Sequence, residues 1–393
     1  MKHLRHGVVI VGGGIAGCTL AILLAGRGVA VTVVERQRQW QFHGSGIFVY
    51  SNGLAALQTI GVLPAILDSG FAIAHGRNVY YDQRGEAITE TFYPSAPGTD
   101  LPPILGIRRA ELHRILLERM QALKVQVRLD STVASIDDDQ AGGDAMCVRL
   151  TDGCALQASM VIGADGVRSQ LRGLLFGAVE PVDTGFGVWR SIHRRPAHLV
   201  DKIMMMGVGK RLGIMPISDD QLYVYATTNE PGHPFYEPAT LHRTMRAKFA
   251  EFEGPAREFL DDLREPTQAF YAAVEEVRLP LPWSRGRVGL IGDAAHASTP
   301  FMGQGGAMAM EDSIVLADML ARGDDVAQTL TAFGARRQPK CAFVQEASRR
   351  VGEAGGTESA GSCAARNERM RAQAQADVDT FYRRLYAFDV AAA

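Results

Sequence analysis

Two glycine-rich stretches hold the residues best suited to chemistry. In "VVIVGGGIAGCTLAILLAGRGVAVTVVER", residues 8–36, Gly12, Gly13, Gly14 and Gly17 separate two apolar runs, and Glu35 closes the second. Gly12 permits a tight turn. Gly14 has no side chain to keep a pyrophosphate from the backbone, and Gly17 allows close packing of helix on strand. A helix starting there offers unpaired N–H groups and a positive dipole end to phosphates. A Glu at the end of the second run can accept both hydroxyls of an adenosine ribose. The second stretch is "GLIGDAAHASTPFMGQGGAMAMEDS", where Gly292–Asp293 follows an apolar run at 288–291 and Pro300 precedes the turn Gly303 to Gly306. Asp293 at the end of a strand can accept a hydrogen bond from a ligand hydroxyl. A helix starting near Gly305 and Gly306 would stabilise a ligand that becomes anionic during reaction, as a reduced flavin does.

Positioning these groups requires particular elements. The β-branched run at 8–11 predicts a buried strand, 18–27 a helix ended by Gly28, and 29–34 a second strand. One long membrane helix is the competing reading of the same stretch, but glycines at its centre and the return of a strand pattern argue against it. A signal peptide would keep one unbroken apolar core. Further on, the second half of 44–62 reads as a helix ended by Gly61. Residues 79–93 read as a hairpin turning at Gln83–Gly85, and "IRRAELHRILLERMQALKVQVRL" as an amphipathic helix feeding a strand. Strands are expected at 133–148 and 155–162. From 185 to about 277 the pattern is strand-like, with an amphipathic helix at 241–263. Residues 354–361, "AGGTESAG", read as a linker, and 364–386 as a charged helix.

Composition narrows the function classes. With 393 residues, 47% of them hydrophobic and 21% charged, the chain fits a soluble globular protein with room for two domains. A formal net charge of −2 gives no global field for nucleic acid or an acidic membrane. The five cysteines are dispersed, without a Cys-x-x-Cys pair, so no metal site and no disulfide framework is expected, and a reducing, cytoplasmic location is. There is one Gly-x-Gly-x-x-Gly turn, hence one visible dinucleotide site and no separate nicotinamide-binding fold.

Taken in order, the first glycine turn with Glu35, "ADGVRSQLR" at 164–172 and "GDAAHASTPFMGQGG" at 292–306 resemble the three motifs of the single-component FAD-dependent aromatic hydroxylases, the flavoprotein monooxygenases of the para-hydroxybenzoate and salicylate hydroxylase type. "IRRAEL" resembles the family's Arg-x-x-Leu element, and the resemblance covers essentially residues 7–350. It implies an α/β fold: a Rossmann-like FAD-binding domain, an inserted antiparallel β-sheet substrate domain and a C-terminal helix. The corresponding division is an FAD-binding domain in three parts (1–75, 101–180, 281–353), a hairpin at 76–100 joining the substrate domain at 181–280, and 354–393 as linker and C-terminal helix.

By the same resemblance, Gly12, Gly14, Ile15, Ala16, Gly17, Glu35, Arg36 and Gly46 would bind the FAD nucleotide. Arg109 and Asp293, with Gly292, would hold the pyrophosphate and ribityl region. Asp165 and Gly166 would sit beside the pyrophosphate, where the family also implicates them in nicotinamide nucleotide binding. Pro300, Gly303, Gly305 and Gly306 would border the isoalloxazine. NADH or NADPH would reduce the FAD, dioxygen would add as a C4a-hydroperoxide, and its distal oxygen would pass to a small electron-rich aromatic or heteroaromatic substrate in a monomer or homodimer. Many relatives carry Asn two positions after the Gly-x-Gly, where this chain has Ala307; its small residues resemble the salicylate-hydroxylase-like branch more. An epoxidase or reductase of the same fold shares these motifs. A halogenase would carry a Trp-x-Trp-x-Ile-Pro stretch, and "GVWRSIH" is all that is present. A binding protein of the GDP-dissociation-inhibitor type would keep only the first turn.

Pocket candidates are Arg190, Tyr223 and Pro300. Val188, Arg190 and Ile192 share one face of a regular strand, so Arg190 is set either for an ion pair or for an anionic substrate. His296 reads as a packing or supporting histidine. The methionines at 204–206 read as sheet core, and Tyr225, Phe235 and Tyr236 as mostly structural.

Overall fold

The computed structural model describes residues 1–40, 45–137, 145–323 and 325–390. A six-stranded sheet runs in the order Ser284–Arg285, Val288–Leu290, Met160–Gly163, Val8–Val11, Val31–Val34, Gln126–Arg128. All of its pairs are parallel except that of the first two strands. Val8–Val11 is buried along its whole length, as a central parallel strand covered on both faces must be. The following helix is Ile15–Gly26, starting three residues earlier than its apolar pattern indicates. Gly17 therefore lies inside the helix; a Cβ there would come 2.0 Å from the Gly12 carbonyl oxygen. Gly12 turns at φ +102°, which L side chains rarely adopt.

The second large sheet has seven strands: Ala269–Glu276, Val182–Arg194, Gln221–Asn229, Lys210–Pro216, Lys202–Met206, Arg77–Asp82 and Ala87–Phe92. The hairpin at 77–92 thus joins it from far upstream in sequence, by the pair of Arg77–Asp82 with Lys202–Met206. That pair is parallel, so the sheet is not wholly antiparallel. Alternation assigns its residues to two faces. Trp189, Met205, Leu212, Ile214, Val224 and Ala226 face a core with Met245, Phe249, Phe252, Phe259 and Leu260. Met204, Met206, Met215, Tyr223 and Tyr225 face the other way, into a cluster with Tyr50, Tyr93, Met308, Val344 and Tyr382.

Several expected elements are cut differently. The amphipathic stretch 241–263 is not one helix but Leu241–Lys248 and Arg257–Asp261, separated by a 3-10 turn at Gly254–Ala256, where Gly254 takes φ +52° and Pro255 cannot donate. The strand expected at 133–148 is Val133–Asp137 and Met146–Leu150, paired antiparallel, and 138–144 lie outside the described residues. The small-residue linker is confined to 356–359, because a long helix, Val326–Gly355, runs into it and the last helix, Ala360–Val390, leaves it. Gly46–Tyr50, whose residues precede the helix Ser51–Thr59, is a strand of a small antiparallel sheet with Ile104–Arg108 and Phe71–Ile73. Among the described residues no helix is long and apolar enough to cross a membrane.

Candidate active site

The first glycine turn opens into a cleft of about 310 Å³ whose lining includes Gly14, Glu35, Trp40, Arg109 and His113. Glu35 is held from both sides: the Gly13 N–H donates to Oε2 at 2.8 Å and the Gln37 N–H to Oε1 at 3.0 Å. Its remaining lone pairs are set to accept from a ligand. A Cβ on Gly14 would meet nothing within 4 Å, and the helix behind it has no side-chain cap, so its leading N–H groups face open space. Arg109, at the N-terminus of helix Arg109–Ala122, is exposed into the cleft, its own N–H bonded to the Ser45 carbonyl at 3.1 Å. Arg36 is exposed just past Glu35.

Two residues that motif reading missed complete this end. His113 Nε2 lies 2.7 Å from the Gly13 carbonyl and donates to it. Burial outweighs that bond and lowers the histidine's pKa, which favours the neutral ring. Trp40 stands edge-on to His113 with ring centres 5.3 Å apart, and a Cβ on Gly13 would come 2.4 Å from its ring. Strand or helix periodicity flags neither, because both reach the glycines from distant parts of the sequence, His113 from 100 positions away.

The Gly-Asp motif meets the first turn directly. Gly292 takes φ +60°, and a Cβ there would lie 3.2 Å from Ala16 Cβ. Asp312 stands behind it: Oδ2 accepts from the Gly292 N–H at 2.8 Å and from His296 Nε2 at 2.6 Å, and Oδ1 accepts from Arg337 Nε at 2.7 Å. Burial opposes charge here, but His296 and Arg337 outweigh it and hold the Asp312 pKa down, to about 2. Burial likewise opposes the imidazolium, yet Cys341 and Asp312 raise the His296 pKa well above its ordinary value. The result is a buried, charged bracket. His296 is thus a supporting residue, in agreement with its sequence reading. Asp293 itself opens to solvent, but surrounding protein crowds it, and this desolvation raises its pKa against the pull of His296 and Arg109.

The turn after Pro300 is equally braced. Pro300–Met302 is one 3-10 turn, Gly303 is left-handed at φ +64°, and helix Gly305–Arg322 begins without a side-chain cap. Asn52 Nδ2 donates to Gln304 Oε1 at 2.9 Å and to Glu311 Oε1 at 3.0 Å, while the Met302 N–H donates to Ser348 Oγ at 3.2 Å. Asp165 lies against the first turn, since a Cβ on Gly12 would come 2.9 Å from its Cα. Its carboxylate is used internally: it accepts from Ser169 Oγ at 2.5 Å and from the Leu171 N–H at 3.0 Å. Beside Gly166, a Cβ would find open space.

Between the Pro300 turn and the seven-stranded sheet runs an aromatic seam. A Cβ on Gly303 would come 2.7 Å from the Phe48 ring, and one on Gly46 2.6 Å from Tyr223. Phe48 lies 5.0 Å from Tyr225 and 6.4 Å from Tyr223. Tyr223 is therefore on the seam side, as its strand position predicts, but it is buried rather than exposed. Met204 and Met206 line the same face and Met205 the opposite core. Arg190 is half-buried on this face, opposite Tyr225 and Phe270, with no ion pair among the described residues. Pro300 is exposed at the seam's edge. Sequence reading missed Arg211, buried over the Phe301 ring at 4.7 Å, and Lys202. Their signal was faint: a Lys and an Arg at the ends of apolar strand stretches.

Comparison with known proteins gives the family and the fold. The family model described as "FAD binding domain" matches residues 5–348. The chain is 32% identical to the aurachin C monooxygenase/isomerase of Stigmatella aurantiaca, across 97% of this chain and 98% of that protein. It is 34% identical to the 2-heptyl-3-hydroxy-4(1H)-quinolone synthase of Pseudomonas aeruginosa, across 96% and 97%. The fold is that of Klebsiella pneumoniae HpxO, solved with FAD and uric acid: TM-score 0.86 at 24% sequence identity, covering 98% of this chain and 97% of that one.

Proposed function

The chain belongs to the FAD-binding-domain family of flavoprotein monooxygenases, and from that premise we propose that it hydroxylates a small, electron-rich heteroaromatic compound, with NADH or NADPH as reductant and dioxygen as the oxygen source. The observation that carries this reading is the seam: a sheet face of Tyr223, Tyr225, Met204, Met206 and Met215 set against the Gly303 turn. Aromatic faces suit a flat ring, and methionines fit irregular apolar substituents. The relatives named for quinolone chemistry and the HpxO structure with uric acid support a nitrogen heterocycle as substrate.

The cofactor's site fits the residues present. Glu35 is pre-aimed at a ribose by its two backbone donors, and the turn at Gly12, Gly14 and Gly17, with the backbone at Ile15 and Ala16, leaves space for a pyrophosphate. Arg109 and Asp293 would hold the pyrophosphate and ribityl region, and Gly46, Asp165, Gly166 and Arg36 would also contact the FAD. The uncapped helix start at Gly305 and Gly306 would offer N–H groups to the flavin ring, where they would stabilise negative charge. FAD, when bound, supplies the activation of oxygen. The protein's share is to orient the substrate ring in the seam and to keep water out of it. Arg190 and Tyr223 are the candidate substrate contacts, and Pro300 the boundary between ring and substrate.

The test is a screen of NAD(P)H oxidation by the holoenzyme across phenols, hydroxybenzoates, hydroxypyridines and 4-quinolones, with product mass. The expected result is stimulated oxidation yielding a product heavier by one oxygen atom. Oxidation that no aromatic compound stimulates, with no oxygenated product, would overturn it.

A further inference from the structure

The strand Lys202–Met206 reads Lys-Ile-Met-Met-Met, and every one of its residues is buried. By alternation Lys202 shares the seam face with Met204 and Met206. Its exposure is 4%, a position lysines rarely hold without a counter-ion. None is present: among the described residues Lys202 has no carboxylate partner. Its Nζ donates to Tyr93 Oη at 2.8 Å and approaches Tyr50 Oη at 3.5 Å. Aromatic rings surround it, Tyr93 at 4.8 Å, Phe48 at 5.3 Å and Tyr50 at 5.9 Å. Phe48 is the ring that touches the Gly303 turn, so the ammonium is one aromatic ring away from it.

Nearby polar groups point the same way. Arg211 is 6% exposed and, among the described residues, makes one side-chain hydrogen bond, to Thr227 Oγ1 at 3.3 Å. Tyr225 folds flat across Gly213, where a Cβ would come 2.0 Å from its ring, and its buried hydroxyl has no hydrogen-bond partner. A buried lysine, a buried guanidinium and an unpaired phenol on one face of a sheet are costly in the protein alone. A bound oxyanion would satisfy them.

We propose that Lys202 is the anion-holding residue of the seam, taking as an ammonium the ionised ring oxygen of a phenol or hydroxylated nitrogen heterocycle. This deepens the aromatic-hydroxylase reading and rests on it. The proton balance closes within the complex: the substrate O–H gives its proton to the Lys202 amine, leaving oxyanion and ammonium in contact. Burial, and then Arg211, lower the Lys202 pKa to about 7, so near neutrality much of the lysine is the free amine and can accept that proton. An ionised ring oxygen makes the ring more electron-rich, which the proposed oxygen transfer requires. The other groups facing Lys202 are Tyr50, Tyr80, Tyr93, Tyr225 and Tyr382, all kept neutral by burial, and Arg211, charged throughout.

The experiment titrates wild-type holoenzyme and Lys202→Met with 4-nitrophenol, about one unit below the probe's own pKa, where free probe is mostly neutral. The absorbance of its anion is read by difference spectroscopy. Wild type should bind it as the anion, and Lys202→Met should bind it about tenfold or more weakly and as the neutral phenol. The melting temperature supplies a readout that a structural lysine would move the other way. A lysine pKa depressed from 10.5 to about 7 costs stability in full below about pH 7, and the cost fades as pH rises toward 10.5. Lys202→Met should therefore melt above wild type, by more at about pH 6 than at about pH 9. Equal binding and ionisation in the variant, or a lower melting temperature at both pH values, overturns the assignment to Lys202 alone. If wild type binds none of 4-nitrophenol, 4-hydroxybenzoate and 4-hydroxyquinoline, the aromatic reading falls and this one with it. Should Lys202→Met fail to fold, Tyr93→Phe keeps the lysine but removes its nearest acceptor: a several-fold drop in bound anion supports the proposal, and no change overturns it.

Discussion

At the scale of single residues, the acids of the cleft divide by what holds them. Glu35 takes two backbone donors and still faces outward; Asp293 is crowded by protein whose desolvation raises its pKa. Glu35→Ala and Asp293→Ala should each weaken FAD binding about tenfold or more, since a hydrogen bond involving a charge contributes about 1.5–3 kcal/mol. Flavin retained after gel filtration is the measure, and full retention in both variants would refute the assignment. Arg190→Ala should raise the apparent substrate KM and leave the FAD content unchanged; steady-state kinetics with a flavin absorbance count checks both. The sequence nominates Glu35 and Asp293 because each closes a short motif whose spacing carries its own chemistry, and Arg190 because alternation sets it on one face with Val188 and Ile192. Lys202, Arg211 and His113 were not legible in it. Each is an ordinary residue until the chain brings together segments a hundred or so positions apart, as when Tyr50 and Tyr93 close around Lys202.

At the scale of elements, the Asp312 bracket links helix Gly305–Arg322 to the strand end at Gly292 and, through Arg337, to helix Val326–Gly355. Asp312→Asn leaves the buried His296 charge without its counter-ion and Arg337 with Glu311 alone, and should destabilise the protein by about 3–5 kcal/mol. Its pH dependence follows from the two shifts. The His296 share is complete below 6.5 and declines above it, toward the raised folded value. The Asp312 share is complete above 3.8 and declines as pH falls toward about 2. Urea unfolding should therefore show the largest gap between wild type and variant from about pH 4 to 6.5. A gap that does not vary with pH would count against the ion pair. Element reading succeeded where one period ran unbroken, as in Val8–Val11 and Arg109–Ala122, and failed where a turn hid inside a periodic stretch. The apolar positions of 241–263 continue across Gly254–Pro255, so the pattern persisted although the backbone did not.

At the scale of the whole molecule, the two sheets are legible separately, one from its glycine turns and the other from its strand-rich composition. Their junction is not, because it depends on the hairpin Arg77–Asp82 and Ala87–Phe92 pairing beside Lys202–Met206, a contact that no local pattern encodes. That hairpin also leaves Ala87–Phe92 as the outermost strand of seven. Helix Ala360–Val390 lies against it, and Gln375 imitates a neighbouring strand: its Oε1 accepts from the Phe92 N–H at 2.7 Å and its Nε2 donates to the Phe92 carbonyl at 3.1 Å. An uncovered outer strand is a template on which another chain can add. The C-terminal helix covers that outer edge. Gln375→Ala should change the unfolding free energy by no more than about 1 kcal/mol, yet raise the fraction of soluble aggregate on storage or gentle heating, read by light scattering. A variant as monodisperse as wild type would show that the helix shields the strand by bulk alone; a rise in aggregate would mean that a single amide side chain keeps one copy of this protein from being extended by the next.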